Sequence, residues 1–180
     1  MNNQVLDRVS PHAIEIGPID FSLYTPGPRG NMVLFCRSGF EITSRHRQIL
    51  EELDRSFFIT SADREQYIDY TFERLPAIIS NPEIRVGEKA SILHGVGVQS
   101  VKRLLKEPNE KQRFEHSEQV ISNYLNLILS SPDAAGALFA LSAADPYTFS
   151  HSVNVATLNI LVGEVMYPGN RLKLWELGMS

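Results

Sequence analysis

One histidine stands where a helix could present it to a metal ion. His151 lies in the run from Asp145 to Val155, which reads Asp-Pro-Tyr-Thr-Phe-Ser-His-Ser-Val-Asn-Val. The Asp-Pro pair predicts a helix start. At helical spacing, His151 shares one face of this helix with three apolar residues, Val155, Leu158 and Val162. We expect this face to be buried. A neutral imidazole there can bind a metal through one ring nitrogen while a neighbouring acceptor orients the other, although a hydrogen-bonded core histidine is the commoner arrangement.

The other histidines lack a partner at the spacing of a metal site. The segment 114–117 reads Phe-Glu-His-Ser and echoes Phe-Ser-His-Ser at 149–152, which would allow duplicated ligands. His116 follows several charged residues, however, so a solvated helix face is the simpler interpretation. Of the remaining three, His94 is interpreted as a core or interface residue. His12 and His46 are interpreted as exposed residues.

Three further patterns indicate structure rather than chemistry. Cys36 lies in the apolar run Met32–Cys36, so it has no internal disulfide partner and is predicted to be a small, inert core residue. The Gly-Val-Gly segment at 95–97 lacks the third glycine of a dinucleotide-binding turn and favours a close approach of helices. The acidic residues at 63–65 are ordinary complements of a helix dipole.

The first sixty residues predict a small α/β module. Three short runs rich in β-branched and aromatic residues predict strands, namely Pro18–Tyr24, Met32–Cys36 and Phe57–Thr60. A Pro-Gly-Pro-Arg-Gly-Asn turn separates the first two runs and favours a hairpin. Between the second and third runs, Thr43 can cap a helix whose apolar residues recur at helical spacing.

After Ser61 the sequence predicts only helices. Three stop signals divide this region, Asn81-Pro82, Pro108 and Pro168-Gly169, and Ser131-Pro132 starts a further helix. Residues 109–112 resemble a capping box, and the apolar segment 134–144 is expected to pack against several neighbours. The helix that carries His151 is predicted to run to Met166, before a last amphipathic segment over 172–177. The predicted fold class is therefore α+β, a small N-terminal α/β module with about three strands followed by an all-α region.

Composition and charge restrict the classes of partner. Of the 180 residues, 43% are hydrophobic and 21% are charged, which is typical of a folded protein. The formal net charge of -4 offers no general attraction to a nucleic-acid polymer or to an anionic membrane, because both need clustered positive charge. The N-terminus lacks the pattern of a secretion signal, and no stretch has the apolar length of a membrane span. We therefore expect a cytoplasmic protein.

The segment 147–155, together with Trp-Glu-Leu-Gly at 175–178, resembles the start of an HD-GYP domain. The resemblance is specific over residues 133–179, and the α/β module resembles, less closely, a region found ahead of some HD-GYP domains. It implies an HD-type helical fold, hydrolysis of cyclic di-GMP and a binuclear centre of divalent transition metals of the iron or manganese type. It also implies that His151 is the first metal ligand. A three-metal centre would need a carboxylate one turn earlier, where Tyr147 stands.

The sequence departs from the family pattern after this segment. It has no His-Asp dipeptide, no histidine after His151 and no Gly-Tyr-Pro motif. A catalytic metal needs about three protein ligands. We therefore expect a domain truncated before its His-Asp dyad, inactive as this chain alone and without a bound metal.

The resemblance divides the chain into three predicted segments. These are an N-terminal α/β regulatory module over 1–80, a helical connector over 81–131 and a partial HD-GYP domain over 132–180. The predicted function is part of a metal-dependent cyclic di-GMP phosphodiesterase. Two alternatives stay open, a non-catalytic sensory or interaction module and a cyclic-dinucleotide-binding scaffold with a degenerate HD fold. The apolar residues of the last segment favour a homodimer through the helical region.

Overall fold

A computed structural model of the chain describes residues 6–52, 56–106, 111–144 and 148–180. The chain divides into two compact units, Met1–Arg74 and Leu75–Ser180. All described strands belong to the first unit, whereas the second contains only helices among its described elements. This arrangement confirms the α+β class and the helical C-terminal region that the sequence predicts.

Six described strands build the first unit. They are Leu6–Val9 (β1), Gly17–Ile19 (β2), Leu23–Pro26 (β3), Met32–Cys36 (β4), Phe40–Ile42 (β5) and Phe57–Thr60 (β6). Strands β1, β6, β3 and β4 form an antiparallel sheet in that order, while β2 and β5 pair with each other. Helix α1 (Ser44–Glu52) follows β5 in the chain, and helix α2 (Arg64–Ser80) follows β6 after a short 3-10 turn.

The single strand predicted over Pro18–Tyr24 is two strands in the structure. β2 ends at Ile19 and pairs with β5, whereas β3 begins at Leu23 and pairs with β4 and β6. Every second residue from Ile19 to Leu23 is buried, namely Ile19, Phe21 and Leu23, so the alternation of a strand continues across the interruption. The interruption occurs where Gly39 N–H donates to the carbonyl of Ile19 at 2.8 Å. The described residues of the module therefore form six strands, where the sequence predicts about three.

Aromatic contacts join α2 to the core of the first unit. The ring of Phe21 meets those of Tyr67 and Tyr70 edge to face, with centroids 5.4 and 5.2 Å apart. Such a pair contributes about 0.5–1.5 kcal/mol beyond the burial of its area. The Tyr70 hydroxyl also accepts a hydrogen bond from Glu15 N–H at 2.9 Å. The start of α2 is thus held by both apolar packing and a long-range hydrogen bond.

The charged cluster at 63–65 has a structural role. The Thr60 hydroxyl donates to the Asp63 carboxylate at 2.9 Å. The Arg64 guanidinium forms a bidentate ion pair with the carboxylate of Asp7 in β1. This ion pair raises the pKa of Arg64 further. The cluster therefore fixes the start of α2 against the sheet, in keeping with the structural interpretation from sequence.

Cys36, at the end of β4, is buried and forms no disulfide, as predicted. Burial raises the pKa of its thiol to about 11, because the thiolate would lose its hydration. At about pH 8 we expect a thiol reagent such as DTNB to react about two orders of magnitude more slowly with the folded protein than with the guanidinium-unfolded chain. Labelling kinetics over a range of pH check this. Equal rates in the folded and unfolded states would contradict it.

The second unit is a group of packed helices. It contains the end of α2 and five further described helices, Val86–Lys106 (α3), Lys111–Ser130 (α4), Pro132–Ala144 (α5), Thr148–Met166 (α6) and Arg171–Met179 (α7). Helix α3 contacts α4, α5 and α6, and α7 contacts α6 and α4. Helices α4 and α6 each contact the other four of these five helices. None of the helices within the described ranges has the length and apolar character needed to cross a membrane.

Helix α5 is buried on one side only. Ala134 and Leu138 are fully buried, whereas Phe139 is 57% exposed. The helix does contact several neighbours, as predicted, namely α3, α4 and α6. The predicted capping box that begins at Asn109 and the predicted helix start at Asp145-Pro146 lie outside the described residues.

Candidate functional site

Helix α6 places His151 on an exposed face. The opposite, buried face carries residues that recur at helical spacing, Ser150, Val153, Asn154, Thr157 and Ile160. On the His151 face, the three apolar companions are 37–58% exposed, namely Val155, Leu158 and Val162. The prediction that this face is buried is therefore wrong. Both faces of α6 are rich in apolar residues, so periodicity alone could not show which one packs.

Exposure makes the His151 imidazole accessible to a ligand from solvent. Among the described residues, however, no three side chains of His, Cys, Asp or Glu come close enough to hold a metal ion. A catalytic metal needs about three protein ligands, so the described donors do not fit a complete metal centre. Tyr147, whose position would distinguish a two-metal from a three-metal site, lies outside the described residues.

A cavity of about 390 Å³ opens beside His151. Residues of α3, α4, α6 and the end of α7 line it, with His151 and Ser152 contributed by the start of α6. Among the described residues that line it, most are aliphatic or aromatic and none is Asp, Glu, Lys or Arg. Within the described part of the chain, the site around His151 therefore combines one imidazole with a largely apolar recess.

Two glycines in the cavity wall allow the helices to approach closely. A Cβ on Gly97 of α3 would lie 3.4 Å from both the Tyr124 hydroxyl and a methyl group of Val153. A Cβ on Gly178 of α7 would lie only 2.8 Å from Ile160 Cδ1. These contacts confirm the prediction that helices meet closely near Gly97. The cavity thus persists between helices that are otherwise tightly packed.

Tyr124 of α4 is the largest fully buried side chain of the cavity wall. Its hydroxyl is buried and has no hydrogen-bond partner within the described part of the chain. The Thr157 hydroxyl stands beside it but donates its own proton to the carbonyl of Val153 at 2.8 Å. No hydrogen bond of acceptable geometry joins the two hydroxyls, and burial raises the pKa of Tyr124. An unpaired buried hydroxyl costs about 1–3 kcal/mol.

A buried polar group joins three helices behind the cavity. His94 Nε2 on α3 lies 3.1 Å from Asn154 Oδ1 on α6, and Asn154 Nδ2 donates to the carbonyl of Ser142 on α5 at 2.9 Å. Because Asn154 Nδ2 already donates to the Ser142 carbonyl, its Oδ1 faces His94. His94 Nε2 therefore carries the proton and donates to Asn154 Oδ1. The core interpretation of His94 is confirmed. The role of Asn154 was missed, and its only signal in the sequence was a polar residue inside an apolar helix.

The remaining histidines do not join His151 in a donor group among the described residues. His116 is half-buried on α4, while its neighbours Phe114 and Ser117 line the cavity. In the first unit, His12 and His46 are half-buried rather than exposed. His46 Nδ1 lies 2.8 Å from the Thr43 hydroxyl, and its ring meets that of Phe40 edge to face. This histidine supports the start of α1.

Comparison with known proteins gives one informative result. The structure is similar to that of Bd1817, a protein described as an HDG"Y"P protein from Bdellovibrio bacteriovorus, with a TM-score of 0.59 and 20% sequence identity. The match covers 98% of this chain and 58% of that protein. No family model and no curated protein matches the sequence. The likeness shows that this chain has a fold found in an HDG"Y"P protein, of which it spans little more than half the length.

Proposed function

We propose that this chain is the regulatory module and the opening helices of an HD-GYP-type, metal-dependent cyclic di-GMP phosphodiesterase. The observation that carries the proposal is the fold likeness to an HDG"Y"P protein over 98% of the chain, to which the HD-GYP-like segments at 147–155 and 175–178 add support. In this assignment, residues 1–80 are the regulatory module, 81–131 the helical connector and 132–180 the first part of the HD-GYP domain.

His151 is the metal ligand that this chain contributes to the proposed site. Its exposed position near the start of α6, at the mouth of the cavity, leaves the imidazole accessible for coordination. The other ligands of the iron- or manganese-type centre come from outside the described residues, because those residues bring no second and third donor together. The chain by itself is accordingly proposed to be inactive.

Reading the coding sequence past Ser180 tests this proposal first. A His-Asp dyad within a few residues supports the enzyme, whereas a stop codon directly after Ser180 removes it. For protein made from the complete coding sequence, we expect about two transition-metal ions per chain and conversion of cyclic di-GMP to a linear product. Elemental analysis measures the metal content per chain, and chromatography measures the linear product. Protein with a full metal complement that leaves cyclic di-GMP intact would rule out the proposed substrate.

An exposed apolar surface favours a second candidate function, a non-catalytic interaction module. We define the α6 stripe as the exposed residues Val155, Leu158, Val162, Val165 and Met166, which are 37–82% exposed. Contiguous exposed apolar surface of this kind is typical of protein contact sites. On this assignment the chain associates with a partner, a second copy included, through its helical region. A stop codon directly after Ser180 is the result that favours it.

A further inference from the structure

We infer that the cavity beside His151 is a binding site for a small, uncharged aromatic molecule of about two fused rings that carries one hydrogen-bonding oxygen. Its volume of about 390 Å³ lies within the usual range of small-molecule pockets. An apolar cavity of about 150 Å³ already accommodates benzene, so two fused rings have ample room. The inference does not depend on the proposed phosphodiesterase function.

The cavity lining selects against charged ligands. Among the described residues, its lining includes no Lys and no Arg. Cyclic di-GMP carries two phosphodiester charges, which lose their hydration on entering an apolar recess and need cationic partners in exchange. An uncharged aromatic molecule loses no such hydration and gains contact with Val101, Leu104 and Ile121. The described lining therefore favours an uncharged aromatic ligand inside the recess.

The packing of the walls keeps the cavity open. Gly97 and Gly178 let α3 and α7 approach their neighbours so closely that an added methyl group would contact Val153 or Ile160. Helices already in such contact cannot move inward to fill the space without steric overlap. A cavity that cannot collapse leaves its lining atoms without partners. A ligand of matching shape supplies the missing van der Waals contacts.

Tyr124 indicates the single polar feature of the ligand. Its buried hydroxyl has no hydrogen-bond partner among the described residues, although the Thr157 hydroxyl lies beside it. Tyr124 and Thr157 both line the cavity. A ligand oxygen at this wall can accept the phenolic proton and satisfy a group that the fold leaves unpaired. A hydroxyl on an aromatic ring meets this requirement.

The test uses 2-naphthol and naphthalene as probes of the 180-residue chain, without metal or nucleotide. Isothermal titration calorimetry should show one site per chain for each probe, with 2-naphthol bound about fivefold more tightly because only it can pair with Tyr124. Absence of saturable binding for both probes would overturn the site. Equal affinity for the two would overturn the role assigned to Tyr124.

A matched pair of variants separates the cavity from the α6 stripe, which also attracts apolar molecules. Ala156→Phe fills the cavity from α6 and should weaken 2-naphthol binding at least about tenfold. Val165→Ser alters a residue of the stripe that is 82% exposed and does not line the cavity, so binding should not change. The opposite pattern would place the probes on the stripe and refute the inference.

Tyr124→Phe tests the hydrogen bond without emptying the cavity. The variant keeps the ring and removes the hydroxyl, so naphthalene should bind as it does to the unaltered chain, while the preference for 2-naphthol should disappear. Circular dichroism shows whether each variant remains folded. A preference for 2-naphthol that survives in Tyr124→Phe would show that another group binds the oxygen.

Discussion

Replacing His151 by alanine is expected to abolish metal binding and cyclic di-GMP hydrolysis in protein made from the complete coding sequence, while leaving its stability unchanged. Removing one of about three ligands from a catalytic metal site lowers metal affinity by orders of magnitude. His151 is exposed on α6, and substitutions at such positions usually change the free energy of unfolding by less than about 0.5 kcal/mol. Metal content, product formation and the melting temperature of the apo-protein are the three measurements.

The matched control is His116→Ala. His116 lies in a segment that echoes the one around His151 and is half-buried on α4, yet it belongs to no group of three metal donors within the described chain. We expect this variant to keep its metal and its activity. Undiminished hydrolysis by His151→Ala would remove His151 from the metal site. Equal losses in both variants would assign the effect to the fold rather than to coordination.

Replacing Asn154 by leucine is expected to lower the free energy of unfolding of the helical unit by about 2–4 kcal/mol. Leucine has a similar size but cannot hydrogen-bond, so the variant leaves His94 Nε2–H and the Ser142 carbonyl without their partner on α6. His94 is buried, so water replaces its lost partner poorly, whereas Ser142 is half-buried. Urea unfolding followed by the fluorescence of Trp175, the single tryptophan of the chain, measures this unit directly.

Asn159→Leu, on the same helix, is the control for this prediction. Asn159 is half-buried, and its amide donates to the carbonyl of Leu177 at 3.3 Å, so its loss should cost less than about 1 kcal/mol. The double variant of His94→Leu and Asn154→Leu should be less destabilised than the sum of the single variants by more than about 1 kcal/mol, as for residues in direct contact. Additive losses would show that the two side chains do not interact.

The sequence predicts the apolar strands β4 and β6 and misses β1 and β5. The predicted runs Met32–Cys36 and Phe57–Thr60 coincide with β4 and β6. β1 and β5 have four and three residues, and both contain charged side chains. In a short run that contains charged residues, the alternation of apolar and polar side chains is too brief to predict a strand. These strands exist because a partner strand supplies their hydrogen bonds, which is information that lies elsewhere in the chain.

The chemistry of the candidate site is only partly visible in the sequence. The position of His151 near the start of a helix follows from local patterns, and its proposed role follows from the resemblance of its surrounding segment. Asn154, Tyr124 and the cavity have no comparable signal, because each depends on which side chains of other helices lie opposite. Hydrogen-bond partners that are 12 to 60 residues apart cannot be inferred from the period of one helix.

By itself, the sequence determined the α+β class, the burial of Cys36 and the face that His151 shares with Val155, Leu158 and Val162. These features depend on local spacing and residue type, which one segment contains in full. Only the tertiary structure decided that this face of α6 is exposed. Apolar residues lie on both sides of the helix, and the packing of α3, α5 and α7 against one of them left His151 on the other. The side a helix buries is a property of its neighbours, because burial is gained only where another surface meets it.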